Sequence, residues 1–204
     1  MDSNVETNRT ELLGTIAVLP EYSHKSYGEI FYCLTLAIQR KSDYSDNILV
    51  IVSERLVWDM ELVEGEAVQV IGQIRTYNEI FEGRNKLNIV VFAREFNLLD
   101  EEGDVYENKV CLEGYLCKPP IRRVSPLGRE ICDMMLAVNR MYNKSDYIPC
   151  IAWGRNAVYA GGLCVGTKIR ISGRIQSREY RKKEEDGNLI TRIAYEVSII
   201  KIEE

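Results

Sequence analysis

The chain has 204 residues, 46% hydrophobic and 28% charged, which is length and composition for one large domain or two of ordinary size. The apolar run at residues 48–52 is among the longest, far short of the roughly 18 residues that span a bilayer, and the acidic, polar residues 1–6 do not read as a secretory leader. A single histidine, His24, leaves little for Ser-His-Asp or Cys-His chemistry, and with no Walker-type loop or metal motif neither an enzyme nor a cofactor is expected.

In chain order, the first strand-like segment is Asn8-Arg9-Thr10-Glu11-Leu12-Leu13-Gly14. It returns 100 positions later as Asn108-Lys109-Val110-Cys111-Leu112-Glu113-Gly114. At the same offset Gly28 falls on Gly128, Leu36-Ala37-Ile38-Gln39-Arg40 on Leu136-Ala137-Val138-Asn139-Arg140, Asp46 on Asp146 and Arg55 on Arg155. After one inserted residue, Gly65 matches Gly166, and Gly72-Gln73-Ile74 matches Gly173-Arg174-Ile175. An ordered series at one offset indicates a duplicated domain, residues 1–104 and 105–204, with the polar stretch 100–104 as linker.

Each copy reads as short alternating strands between turn residues. In the second copy the strands are expected at about 109–117, 130–139, 147–153, 168–178 and 190–201, with a helical connection at 158–163 and a hairpin turn at Asp186-Gly187. Five strands with a short helix after the third is the plan of an OB-fold, so the fold class is all-β, two tandem five-stranded barrels. The six cysteines form no C-x-x-C pair and read as small buried hydrophobes in a reducing, cytoplasmic setting.

Charge separates the copies. Residues 1–104 hold 9 Lys+Arg against 19 Asp+Glu, net −10, whereas residues 105–204 hold 17 against 12, net +5. The overall −5 therefore hides a basic second half suited to a polyanion. Period-two alternation puts Ile169, Ile171 and Ile175 on the inner face of the fourth strand, and Lys168, Arg170, Arg174, Arg178 and Tyr180 on the outer one. Cations ending in an aromatic suit a phosphate backbone with stackable bases. The equivalent row in copy one is Ala67, Gln69, Ile71, Gln73, Arg75, Tyr77 and Glu79, with one cation.

Residues 107–201 resemble the bacterial single-stranded DNA-binding proteins, or SSBs. Asn108-Lys109-Val110-Cys111-Leu112-Glu113-Gly114-Tyr115-Leu116 is similar to their opening strand, Pro120-Ile121-Arg122-Arg123 with Gly128 to the next segment, and Leu136-Ala137-Val138-Asn139 to the following strand. Ala152-Trp153-Gly154-Arg155 and Ile171-Ser172-Gly173-Arg174-Ile175 resemble the ends of strands three and four. The resemblance implies base stacking on Tyr142, Tyr147, Trp153 and Tyr180, and phosphate contacts by Lys109, Arg123 and Arg155. Arg140, Lys144, Arg174, Arg178, Arg181 and Lys182 join them from charge and face. The Trp153 ring also has a lesser reading as core packing beside Ile151, while Tyr142 lies in a polar loop and reads as stacking.

Copy one carries Asn47, Ser53 and Glu79 where copy two has Tyr147, Trp153 and Tyr180, and is expected to be a degenerate acidic fold offering a surface to replication or recombination proteins. By resemblance two folds per chain imply a homodimer with four, no membrane partner, and a bacterial chromosome or mobile element as host. With the sequence stopping at Glu204, no long recruiting tail is expected. The rival reading is a primosomal or recombination accessory protein that acts mainly through protein partners.

Overall fold

The computed structural model describes residues 6–42, 44–81, 84–99, 106–183 and 189–203. The expected linker at 100–104 and the turn at Asp186-Gly187 lie outside the described residues, as do the side chains of Tyr180, Arg181 and Lys182. In the first half, β1 (Asn8–Ser26), β2 (Glu29–Gln39), β3 (Ser45–Ser53), α1 (Glu54–Val57), β4 (Ala67–Phe81) and β5 (Arg84–Leu98) follow in order. The second half repeats the plan as β6 (Glu107–Leu116), β7 (Ile121–Val124), β8 (Glu130–Asn139), β9 (Ser145–Trp153), α2 (Arg155–Ala160), β10 (Lys168–Lys183) and β11 (Leu189–Glu203).

Each half closes on itself. β1 pairs with β2, β2 with β3, β3 in parallel with β5, β5 with β4, and β4 again with β1. The same circuit runs β6–β8–β9–β11–β10–β6. These are two OB-fold barrels, as the strand count and the connecting helix suggested. Alternate side chains fill them: Leu12, Leu36, Ile48, Val70 and Ile74 in the first barrel and their repeat partners Leu112, Leu136, Ile148, Ile171 and Ile175 in the second are all buried.

Two differences from the sequence reading have local causes. The opening strand of the second barrel is split into β6 and β7, because Pro119 and Pro120 have no N–H for the ladder. The helix spans Arg155–Ala160 rather than 158–163, because Gly154, at φ 55°, turns the chain directly after β9 and Gly161-Gly162 follow the helix. Cys132 and Cys150 are buried as expected, but Cys164 is exposed.

The barrels join edge to edge. β1 lies antiparallel to β6, with Asn8 opposite Leu112, Thr10 opposite Val110 and Leu12 opposite Asn108, so equivalent residues exchange partners about a local two-fold. Asn8 spans Ile74, its amide nitrogen giving to the carbonyl and its oxygen accepting from the N–H, both at 2.9 Å. Asn108 does the same to Ile175, at 2.7 and 2.9 Å. Each asparagine thus prolongs the ladder where the fourth strand peels away from the first.

Beyond that point the barrels grip each other. The fully buried carboxylate of Asp146 accepts from the Thr76 N–H of the other barrel at 2.7 Å and pairs with Arg75 at 3.3 Å and Arg140 at 3.0 Å. Reciprocally, Asp46 accepts from the Ser177 N–H at 2.8 Å and its hydroxyl at 3.0 Å, and pairs with Arg40. The repeat that matched Asp46 to Asp146 and Arg40 to Arg140 is therefore a pair of crossed clamps.

Candidate nucleic-acid interface

Trp153 ends β9, on the face that also carries Tyr147 and Ile151. Its indole N–H donates to Ser198 Oγ at 3.2 Å, which fixes the ring edge and leaves the ring 38% exposed. Ser198 stands between Ile151 of β9 and Arg174 of β10, so Trp153 and Arg174 look onto the same outer surface. With Arg129, Arg178 and Arg40 they line a groove of about 420 Å³. Four arginines around one indole give a shallow, cationic, stackable trough, the arrangement that tracks a phosphate backbone while offering a flat ring to a base.

Two of these arginines were missed in the sequence. Arg129 sits in the β7–β8 turn where the first copy has Glu29, so the charge reversal at a fixed offset was its available signal. Arg40 comes from the first barrel. Its Asp46 pairing aims it across the seam, where it also donates to the Ser177 carbonyl at 3.3 Å.

The other expected residues are spread out. Arg123 on β7 is directly opposite Ile131, which is opposite Trp153, so it lies about 10 Å along the same face. There it is held by a forked pair with Asp133, at 2.7 and 3.3 Å. Arg178 is paired with Glu196 at 3.5 Å. Arg155 opens α2 and is exposed, with no ion pair among the described residues. Tyr147 is half-exposed at the seam, its backbone N–H bonded to Thr76 Oγ1 at 3.0 Å. Lys109 lies on the outer face of the joining ladder, opposite Glu11, and does not line this groove.

Part of the outer row of β10 is engaged elsewhere. Lys168 and Arg170 both bind Glu113, at 2.6 and 2.8 Å, and these bonds hold its carboxyl below the usual carboxylate range. Arg140, Tyr142 and Lys144 belong to the β8–β9 turn, which faces the first barrel. These three do not share the trough with Trp153; they close a different one.

Residues 107–202 match the profile of the Single-strand binding protein family. A single-stranded DNA-binding protein of Clostridium acetobutylicum is 35% identical over 96 residues, 44% of this chain and 67% of that protein. Another, single-stranded DNA-binding protein B of Bacillus subtilis, is 32% identical over 93 residues and 82% of its own length is covered. The chain belongs to the single-strand binding protein family. Alongside these, a Clostridium tetani protein is 36% identical over 93 residues, and this chain spans 64% of its length. The crystal structure of wild-type single-stranded DNA binding protein from Thermus aquaticus superposes over 96% of this chain and 91% of that one, with a TM-score of 0.76 and 23% identity. That likeness extends the family's fold across both barrels.

Proposed function

We propose that the chain binds single-stranded DNA without marked sequence preference, chiefly through the second barrel, in DNA replication, recombination and repair. The observation that carries this is the trough in which Trp153 is flanked by Arg129, Arg174, Arg178 and the first barrel's Arg40. Stacking on an indole is indifferent to base identity because every base has a π-face, and arginines around it neutralise phosphates of any sequence. The membership of the second half in the family, and the single-stranded DNA-binding names of its relatives, support the same reading. Two barrels per chain make a homodimer with four barrels, in the bacterial cytoplasm, the working assembly.

The test is a titration with polythymidine in a Trp58→Phe background, so that Trp153 is the one remaining tryptophan of the two. Strong quenching is expected at about 50 mM salt, with affinity falling steeply by about 200 mM as counterions are released. No quenching and no gel retardation at low salt would remove the reading. The second reading, an accessory protein acting through protein partners, is favoured by the net −10 of residues 1–104. Alanine at Arg129, Arg174 and Arg178 separates the two, because it abolishes strand binding on the first reading and spares partner binding on the second.

A further inference from the structure

The end of the first barrel that carries α1 presents apolar side chains to solvent. The segment packs Leu56, Val57, Met60 and Leu62 against the barrel core, and with those places filled Trp58 and Val63 point outward, 75% and 58% exposed. Val18, Leu19 and Tyr22 stand out from the neighbouring part of β1. Hydrogen bonds draw the two segments together: the Gly65 N–H donates to the Ile16 carbonyl at 2.8 Å, and the Ile16 N–H to the Glu66 carbonyl at 2.9 Å. Tyr22 faces Tyr32 across the β1–β2 ladder, and the Tyr32 hydroxyl donates to Glu54 of α1 at 3.4 Å.

Carboxylates surround these side chains. Residues 54–66 hold Glu54, Asp59, Glu61, Glu64 and Glu66 against one cation, Arg55, which is turned to Glu29 at 3.8 Å. Asp59, Glu61 and Glu64 are exposed and make no ion pair among the described residues. The repeat separates the two properties of this surface. At the same end of the second barrel Val158, Tyr159 and Val165 are exposed too, yet residues 155–167 hold no carboxylate and one cation, Arg155. Unpaired carboxylates repel a phosphate backbone, and none of these first-barrel residues lines the Trp153 trough. An exposed indole among apolar neighbours, with a charged rim, is suited to a protein instead, and the sign of the rim decides which protein: a like-charged surface is repelled and a cationic one attracted.

We infer that the α1 end of the first barrel docks a cationic, apolar-anchored segment of a protein partner, with Trp58 as the anchoring contact and Asp59, Glu61 and Glu64 selecting Lys and Arg. Tryptophan is the residue type most often found to dominate binding at such surfaces. The inference goes beyond strand binding and stands apart from it. The docking surface and the trough lie on different barrels, so a chain with an occupied trough holds such a partner at the same time.

A library of short random peptides displayed on phage would be panned against the full chain and, in parallel, against its Trp58→Ala and Glu61→Lys variants. Both positions are exposed, so the variants keep the fold, which unchanged thermal midpoints check. Enriched sequences should carry Lys or Arg beside Leu, Phe or Trp, and should bind the unaltered chain about tenfold more tightly than either variant. Their affinity should fall as salt rises and stay the same when polythymidine is added. No enrichment over the variants, enrichment of acidic or uncharged sequences, or displacement of the peptide by polythymidine would overturn the inference and leave the proposed function intact. A second copy of this chain is the competing occupant. If Trp58→Ala lowers the oligomeric state in sedimentation, the surface is a contact between copies and the inference falls. Failure of the unaltered chain to retard any strand would overturn the proposed function and not this inference.

Discussion

The indole of Trp153 is positioned by a serine that the sequence does not mark. Ser198 lies 45 residues away and meets the ring only because β9 and β11 run side by side. Trp153→Ala should cost about 1–3 kcal/mol of strand affinity, measured by titration at fixed salt. Ser198→Ala should cost less, about 0.5–1.5 kcal/mol, since it frees the ring without removing it. The alternation beside Ile151 left Trp153 open between stacking and core packing, and Arg40 was not legible at all, because its address on the trough is written in the opposite barrel. The thiols give a check of the same scale. Burial pushes the Cys150 thiol up, while Cys164 is exposed, so alkylation of the native protein should modify Cys164 first and Cys150 only on unfolding.

Among the elements, the first strand of each barrel depends on one glycine. A Cβ on Gly114 would stand 2.5 Å from the Ala137 carbonyl oxygen, and one on Gly14 meets Ala37 at the same distance. These are the crossings where β6 bends onto β8 and β1 onto β2. Gly114→Ala should destabilise the protein by about 1–3 kcal/mol, read as a lowered midpoint in thermal unfolding. Such crossings were legible as repeated glycines but not as contacts, because the repeat states which positions matter and is silent on what they touch. Strand order and the helix after the third strand followed from alternation and turn residues. The exact start of α2 did not, since it is set by the backbone turn at Gly154 and not by the apolar residues that follow.

At the scale of the whole molecule, the crossed aspartates set the relation between the barrels. Asp146→Ala strands Arg75 and Arg140 and leaves the Thr76 N–H without its acceptor. Removing one partner of a buried ion pair costs about 3–5 kcal/mol, so a midpoint lower by several degrees is expected in calorimetry. Asp46→Ala should behave alike by releasing Ser177 and Arg40. None of this crossing was legible beforehand: the repeat matched like with like along the chain, while the contacts run between unlike positions of the two copies.

The β1–β6 ladder has the geometry of a symmetric dimer, yet both strands belong to one chain. A dimer built from two copies of the second barrel would set Lys109 against Cys111, whereas here Lys109 faces Glu11 and Cys111 faces Arg9. Covalent joining removes the requirement that a residue suit both sides of its own interface, so one half can turn acidic while the other turns basic. It also makes the encounter of the two barrels intramolecular, and therefore independent of protein concentration. Dilution that dissolves a four-barrel assembly should stop at the pair, leaving this seam closed in a single molecule.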